Sequence, residues 1–167
     1  MRALRIWLVL AAATLAIPLT AASASADRGL ASGAIQQCPG YPIPPFQTLT
    51  REGIKLTIAE ICHVYAGTVS GTVRGVQYTV ILADGSRMVA GQETPTGTVA
   101  DRRGIAELRF SGMRPCFPNC STTIHLQAVD GSRGLRGLQL DITAVGAGVL
   151  TYSGTYALGG ADETTGQ

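Results

Sequence analysis

Charge is scarce in this 167-residue chain: 14% of its residues are charged, and the formal net charge is +2. Lysine is almost missing, with Lys55 standing alone beside 12 arginines, a bias that suits a high-GC bacterial source. Two of those arginines, Arg2 and Arg5, belong to a segment patterned as an export signal. Met1–Arg5 is its basic start, Ile6–Leu19 its apolar stretch and Ala24-Ser25-Ala26 its small-residue cleavage site. Cleavage after Ala26 leaves 11 basic residues against 11 acidic ones, a neutral mature chain. Neutrality argues against nucleic-acid binding and against a basic patch for anionic membranes. Long apolar runs are missing too. The stretch Ile6–Leu19 contains Pro18 and falls short of the roughly 20 residues a spanning helix needs, and no later run approaches it. No cysteine stands at the cleavage point, which excludes a lipid-anchored leader, and residues 159–167 are too polar to become an anchor. The expectation is a secreted protein with no membrane association once the leader is removed.

An exported chain meets an oxidising compartment, so Cys38, Cys62, Cys116 and Cys120 are expected to form disulfides. Three connectivities are open. Pro and Asn in the Phe117-Pro118-Asn119 segment favour a small Cys116–Cys120 loop, which leaves Cys38–Cys62 as the second bond, and crossed pairing competes closely. A metal reading would join Cys116, Cys120 and His125 to His63 or Cys62. That C-x3-C-x4-H spacing is not a usual zinc pattern, and no metal or other cofactor is expected.

Helical periodicity is absent beyond the leader, and alternation takes its place. Residues 27–50, with Pro39, Pro42, Pro44 and Pro45, read as an extended Pro-rich arm, residues 51–159 as one β-domain and 160–167 as a flexible tail. Ile54, Leu56, Ile58, Glu60, Cys62 and Val64 share one face of a first long strand, opposite Lys55, Thr57, Ala59, Ile61, His63 and Tyr65. Further apolar faces follow at Val76/Tyr78/Val80/Leu82, Ala106/Leu108/Phe110, Ile124/Leu126/Ala128, Leu138/Leu140/Ile142 and Leu150/Tyr152/Tyr156/Leu158. Turns are expected at Asp84-Gly85, Arg103-Gly104 and Asp130-Gly131. Many of the 21 glycines fall inside strands, among them Gly67, Gly71, Gly91, Gly112 and Gly154. Such glycines permit the sharp bends of a closing sheet. The fold class is all-β, an antiparallel barrel of about eight strands rather than a sandwich.

The segment Thr94-Pro-Thr-Gly-Thr-Val-Ala-Asp-Arg-Arg-Gly-Ile-Ala-Glu-Leu-Arg-Phe-Ser-Gly112 is followed by Val129-Asp-Gly-Ser-Arg-Gly-Leu-Arg-Gly-Leu138 and Tyr152-Ser-Gly-Thr-Tyr156. This order, over about residues 64–158, resembles a secreted actinobacterial family of domains of unknown function that is itself similar to the allene oxide cyclase barrel. The resemblance implies a closed eight-stranded antiparallel barrel with a hydrophobic interior, and little about chemistry. The leader, the Pro-rich arm and the Cys116–Cys120 insertion depart from its pattern, so no ligand or partner carries over.

Glu60 is the candidate catalytic residue, because alternation points its carboxylate toward the barrel interior. An unpaired buried carboxylate is pushed toward protonation, a property of general acids and bases; a bulge or a neighbouring Arg would cancel that reading. Tyr78, Tyr152 and Tyr156 fall on apolar faces and are candidate ligand-binding residues, or plain core. His63 and His125 are expected to be exposed, and no G-x-S-x-G elbow accompanies them. Gly131-Ser-Arg-Gly134-Leu-Arg-Gly137 lacks the Gly-Lys-Ser/Thr end of a phosphate loop and reads as a turn. The leading function is a non-catalytic exported barrel that binds a small hydrophobic ligand or serves as an extracellular interaction module. The alternative is an isomerase or cyclase acting on a hydrophobic substrate inside the barrel. A barrel of this size can also be packed solid.

Overall fold

The computed structural model describes residues 27–41, 43–117 and 119–159. The leader expected over 1–26 and the tail expected over 160–167 lie outside them. Nine strands follow in chain order: β1 (Asp27–Gln37), β2 (Gln47–Arg51), β3 (Ile54–Gly67), β4 (Val69–Ile81), β5 (Arg87–Val99), β6 (Arg102–Arg114), β7 (Thr122–Arg133), β8 (Gln139–Ala147) and β9 (Val149–Leu158). From β3 to β9 each strand pairs antiparallel with the next. β1 pairs with β9 on one side and β3 on the other, which closes an eight-stranded barrel. β2 pairs with β3 alone and is one strand extra to the ring.

The expectation of an all-β closed barrel holds, with two local corrections. The first concerns the arm. Residues 27–37 are a full barrel strand, not part of an extended arm. Its inward positions are Gly29, Ala31, Gly33 and Ile35, and the first three are so small that alternation gives almost no apolar signal. They are small because tyrosines from β9 take the space. A Cβ on Gly29 would lie 2.8 Å from the Tyr156 ring, and one on Gly33 would lie 2.5 Å from the Tyr152 hydroxyl.

The second correction is the phase of β3 and β4. The core residues are Ile61 and Tyr65 on β3 and Val69 and Val73 on β4; Cys62, on the other face of β3, is buried in its disulfide. Ile54, Val76 and Tyr78 are exposed on the outer surface instead. Both faces of β3 carry branched aliphatics, so alternation alone does not choose between them, and burial of a complementary set inside the ring does. The faces read for the later strands are inward as expected: Ala106, Leu108, Phe110, Leu126, Leu140, Ile142, Tyr152 and Leu158 are all buried.

The turn at Asp84-Gly85 is present, with Gly85 at φ 83° and Asp84 accepting from the Ser86 hydroxyl at 2.7 Å. The β5–β6 turn lies at Ala100-Asp101, not Arg103-Gly104; both residues are left-handed, at φ 47° and 65°, as a two-residue hairpin turn requires. Asp130-Gly131 lies within β7 beside a register shift opposite Glu107/Leu108.

One end of the barrel is plugged. Leu135 and Leu138 from the β7–β8 loop join a core that includes Val69, Leu108, Ile142 and Leu158. Thr68 N–H donates to the Ser32 carbonyl and Ala100 N–H to the Thr68 carbonyl, each at 2.9 Å, so neighbouring turns are stitched together. Tyr152 completes the plug: its hydroxyl accepts from Val69 N–H at 2.8 Å and donates to the Val69 carbonyl at 3.1 Å. The disulfides are Cys38–Cys62 and Cys116–Cys120. The first sits where β1 leaves the ring, beside the seam with β3.

Candidate functional site

The opposite end of the barrel is open. A cavity of about 320 Å³ enters the interior there, at the small end of the roughly 300–1,000 Å³ common for ligand sites. Its wall combines apolar side chains (Ile35, Val89, Ile124, Leu150) with polar ones (His63, Gln77, Thr79, Arg87, Arg114, Thr122). These come from seven of the ring's eight strands directly, with Gly148 of the β8–β9 turn at the rim.

His63 links this cavity to a small inner void of about 10 Å³ that Glu93 and Tyr65 also line. Glu93 is 2% exposed, the kind of burial a carboxylate tolerates only when fully partnered. His63 Nδ1 lies 2.6 Å from Glu93 Oε1, and the Tyr65 hydroxyl donates to Oε2 at 2.7 Å. Local sequence makes the meeting possible. His63 on β3 and Glu93 on β5 are separated by β4, whose inward position between Ile61 and Glu93 is Gly75. A Cβ there would strike the Gln92 carbonyl and approach Glu93 Cα, so the two longer side chains meet over a strand that has nothing in the way. Burial pushes the Tyr65 phenol well above its ordinary titration range, and the Glu93 charge adds to the shift. Tyr65 therefore stays a donor. An ionised Glu93 can only accept, which places a proton on His63 Nδ1. Nε2 then has no hydrogen-bond partner among the described residues, on a ring that lines the cavity.

Two arginines mark the rim. Arg87 and Arg114 sit opposite each other on β5 and β6. Both approach the ring of Phe117, in the Cys116–Cys120 loop, with guanidinium carbons 3.6 and 4.8 Å from its centroid. Arg114 also donates to the Cys120 carbonyl at 2.8 Å.

Glu60 lies elsewhere. It is on the outer face, where Tyr41 donates to it at 3.0 Å and Arg74 approaches at 3.3 Å. The expected inward carboxylate is thus replaced by a partly exposed, Arg-paired one that pins the Pro-rich segment to the barrel wall. An open groove of about 910 Å³ runs beside it, outside the ring. Tyr78 is also on the outside, 48% exposed; with Met88 and Met113 at 47% and 49% it forms an apolar strip across β4, β5 and β6. Tyr152 and Tyr156 point inward, but Tyr152 is bound to Val69 and Tyr156 packs on Gly29; neither lines the open cavity. His63, read as exposed, is inward, whereas His125 is on the outer surface, its Nδ1 3.0 Å from the Thr143 hydroxyl. The alternative zinc set does not assemble, since its cysteines are in disulfides, and no group of three metal-ligating side chains occurs among the described residues.

This cluster escaped sequence reading because Glu93 lies among Thr, Gly, Gln and Pro with little apolar alternation around it. One signal was there: His63 shares its face with Ile61 and Tyr65.

No protein-family profile and no curated protein matches the sequence. A solved structure does. It is a protein of unknown function from the DUF3224 family of Shewanella oneidensis, similar with a TM-score of 0.58 at 17% identity over 80% of this chain and 97% of that one. At that identity the likeness is one of fold.

Proposed function

We propose that this chain is exported and that its barrel binds a small molecule in the open end of the ring, without transforming it. The observation that carries the reading is the hollow itself. The interior is plugged on one side by Leu135, Leu138 and Tyr152 and open on the other to a walled cavity of about 320 Å³. The two disulfides fit an oxidising destination. Apolar side chains on one part of the wall suit the hydrophobic portion of a ligand. Native mass spectrometry of the protein purified from culture supernatant tests this, together with an Ile124→Trp variant that fills the cavity. The reading requires a reproducible one-to-one adduct on the wild type that the variant loses. Adducts retained by a folded Ile124→Trp protein would place binding elsewhere and overturn it.

A second reading, isomerase or cyclase chemistry, draws on the His63–Glu93 pair rather than on Glu60. A carboxylate at Nδ1 orients the imidazole and leaves Nε2 to exchange a proton with a bound substrate. The apolar strip of Tyr78, Met88 and Met113 favours an interaction surface as an additional role.

A further inference from the structure

Among the described residues, Arg87 holds the one buried side-chain polar atom without a hydrogen-bond partner, its Nε. None of the four ion pairs among the described residues includes it. Its cross-strand neighbour is a second arginine, Arg114, and like charges directly opposite each other repel. Buried Glu93 is already committed to His63 and Tyr65. No Asp or Glu appears in the cavity wall. The Phe117 ring answers part of the Arg87 charge through its π face, but a ring offers no lone pair to an N–H donor. A buried guanidinium donor without an acceptor is costly and calls for one.

The rest of the wall limits what that acceptor belongs to. Gln77, Thr79 and Thr122 add neutral hydrogen-bonding groups, while Val89, Ile124 and Leu150 offer an apolar surface. We propose that the open end selects a small amphiphilic anion, with a carboxylate head on Arg87 beside Arg114 and a short apolar tail along Val89, Ile124 and Leu150. This rests on the reading of the cavity as a ligand site and adds the chemical class. A guanidinium fork matches a carboxylate in two parallel hydrogen bonds, and the cavity volume restricts the tail to a short chain.

The test is an NMR titration of the full mature protein with hexanoate and, separately, with neutral hexanamide. Arg87 Nε–H is itself a reporter. Hexanoate is expected to shift that resonance and the Val89 and Ile124 amides, and to bind roughly 10- to 100-fold more tightly than hexanamide, the range a charged hydrogen bond supports. Arg87→Gln is expected to erase the preference, and Arg87→Lys to keep part of it. If Arg87→Gln fails to fold, the Nε–H shift and the Arg87→Lys comparison still decide. Equal binding of the two probes at the same amides would overturn the anion class while leaving the cavity as a ligand site. Neither probe, nor an apolar dye, perturbing those amides would overturn both.

Discussion

His63 and Glu93, 30 residues apart in sequence, meet at 2.6 Å over a glycine on the strand between them. The carboxylate fixes which ring nitrogen of His63 carries the proton. Glu93→Gln should reverse it, because the new amide can present an N–H to Nδ1 while its carbonyl accepts from Tyr65. Long-range proton–nitrogen NMR of the neutral ring should then show Nε2–H in place of Nδ1–H, with a stability loss of about 1–2 kcal/mol. An unchanged tautomer would show that Glu93 does not control it.

Tyr65 sets an alkaline limit. Its folded-state pKa is raised above 10.0, first by burial and then by Glu93. Stability from the neutral phenol is therefore complete below the unfolded value near pH 10 and is lost as pH rises through the folded one. Urea midpoints of wild type and Tyr65→Phe should converge above about pH 10. A difference that stays constant with pH would refute the assignment.

Tyr152→Phe should destabilise the barrel by about 1–3 kcal/mol, since Val69 loses both partners at a buried position. Amide exchange at Val69 reports this directly. Exchange as slow as in the wild type would mean that the hydroxyl does not anchor the turn.

The two disulfides should differ in worth. Cys38–Cys62 spans 24 positions and Cys116–Cys120 spans 4, so replacing each pair with alanine should cost about 3 and about 2 kcal/mol by loop entropy. Denaturant unfolding of the two double variants gives the order. A greater loss from the shorter loop would indicate that Phe117 and its arginine contacts outweigh chain entropy.

Sequence patterning revealed the fold wherever large residues alternated with polar ones. Leu108 and Phe110 on β6, and Leu140 and Ile142 on β8, announce their inward faces. β1 stayed hidden because Gly29, Ala31 and Gly33 fill their share of the ring with almost nothing. β3 misled because Ile58 and Ile61 look alike to any period-two reading although they face opposite ways. The candidate site was the least legible part. A buried carboxylate is recognisable by its partners, and those of Glu93 come from a strand two positions away in the sheet. Glu60 looked more inward than Glu93 for want of that information.

Plug and cavity divide the labour along the same eight strands. Val69, Leu108, Ile142 and Tyr152 hold the ring shut at one end, while the residues that would meet a guest stand at the other. A lineage can therefore rewrite the guest-facing residues one by one without unmaking the container. Inheritance of the vessel then says little about its contents, and Arg87, which no side chain of the core depends on, is the position at which descendants of one ancestor should differ most.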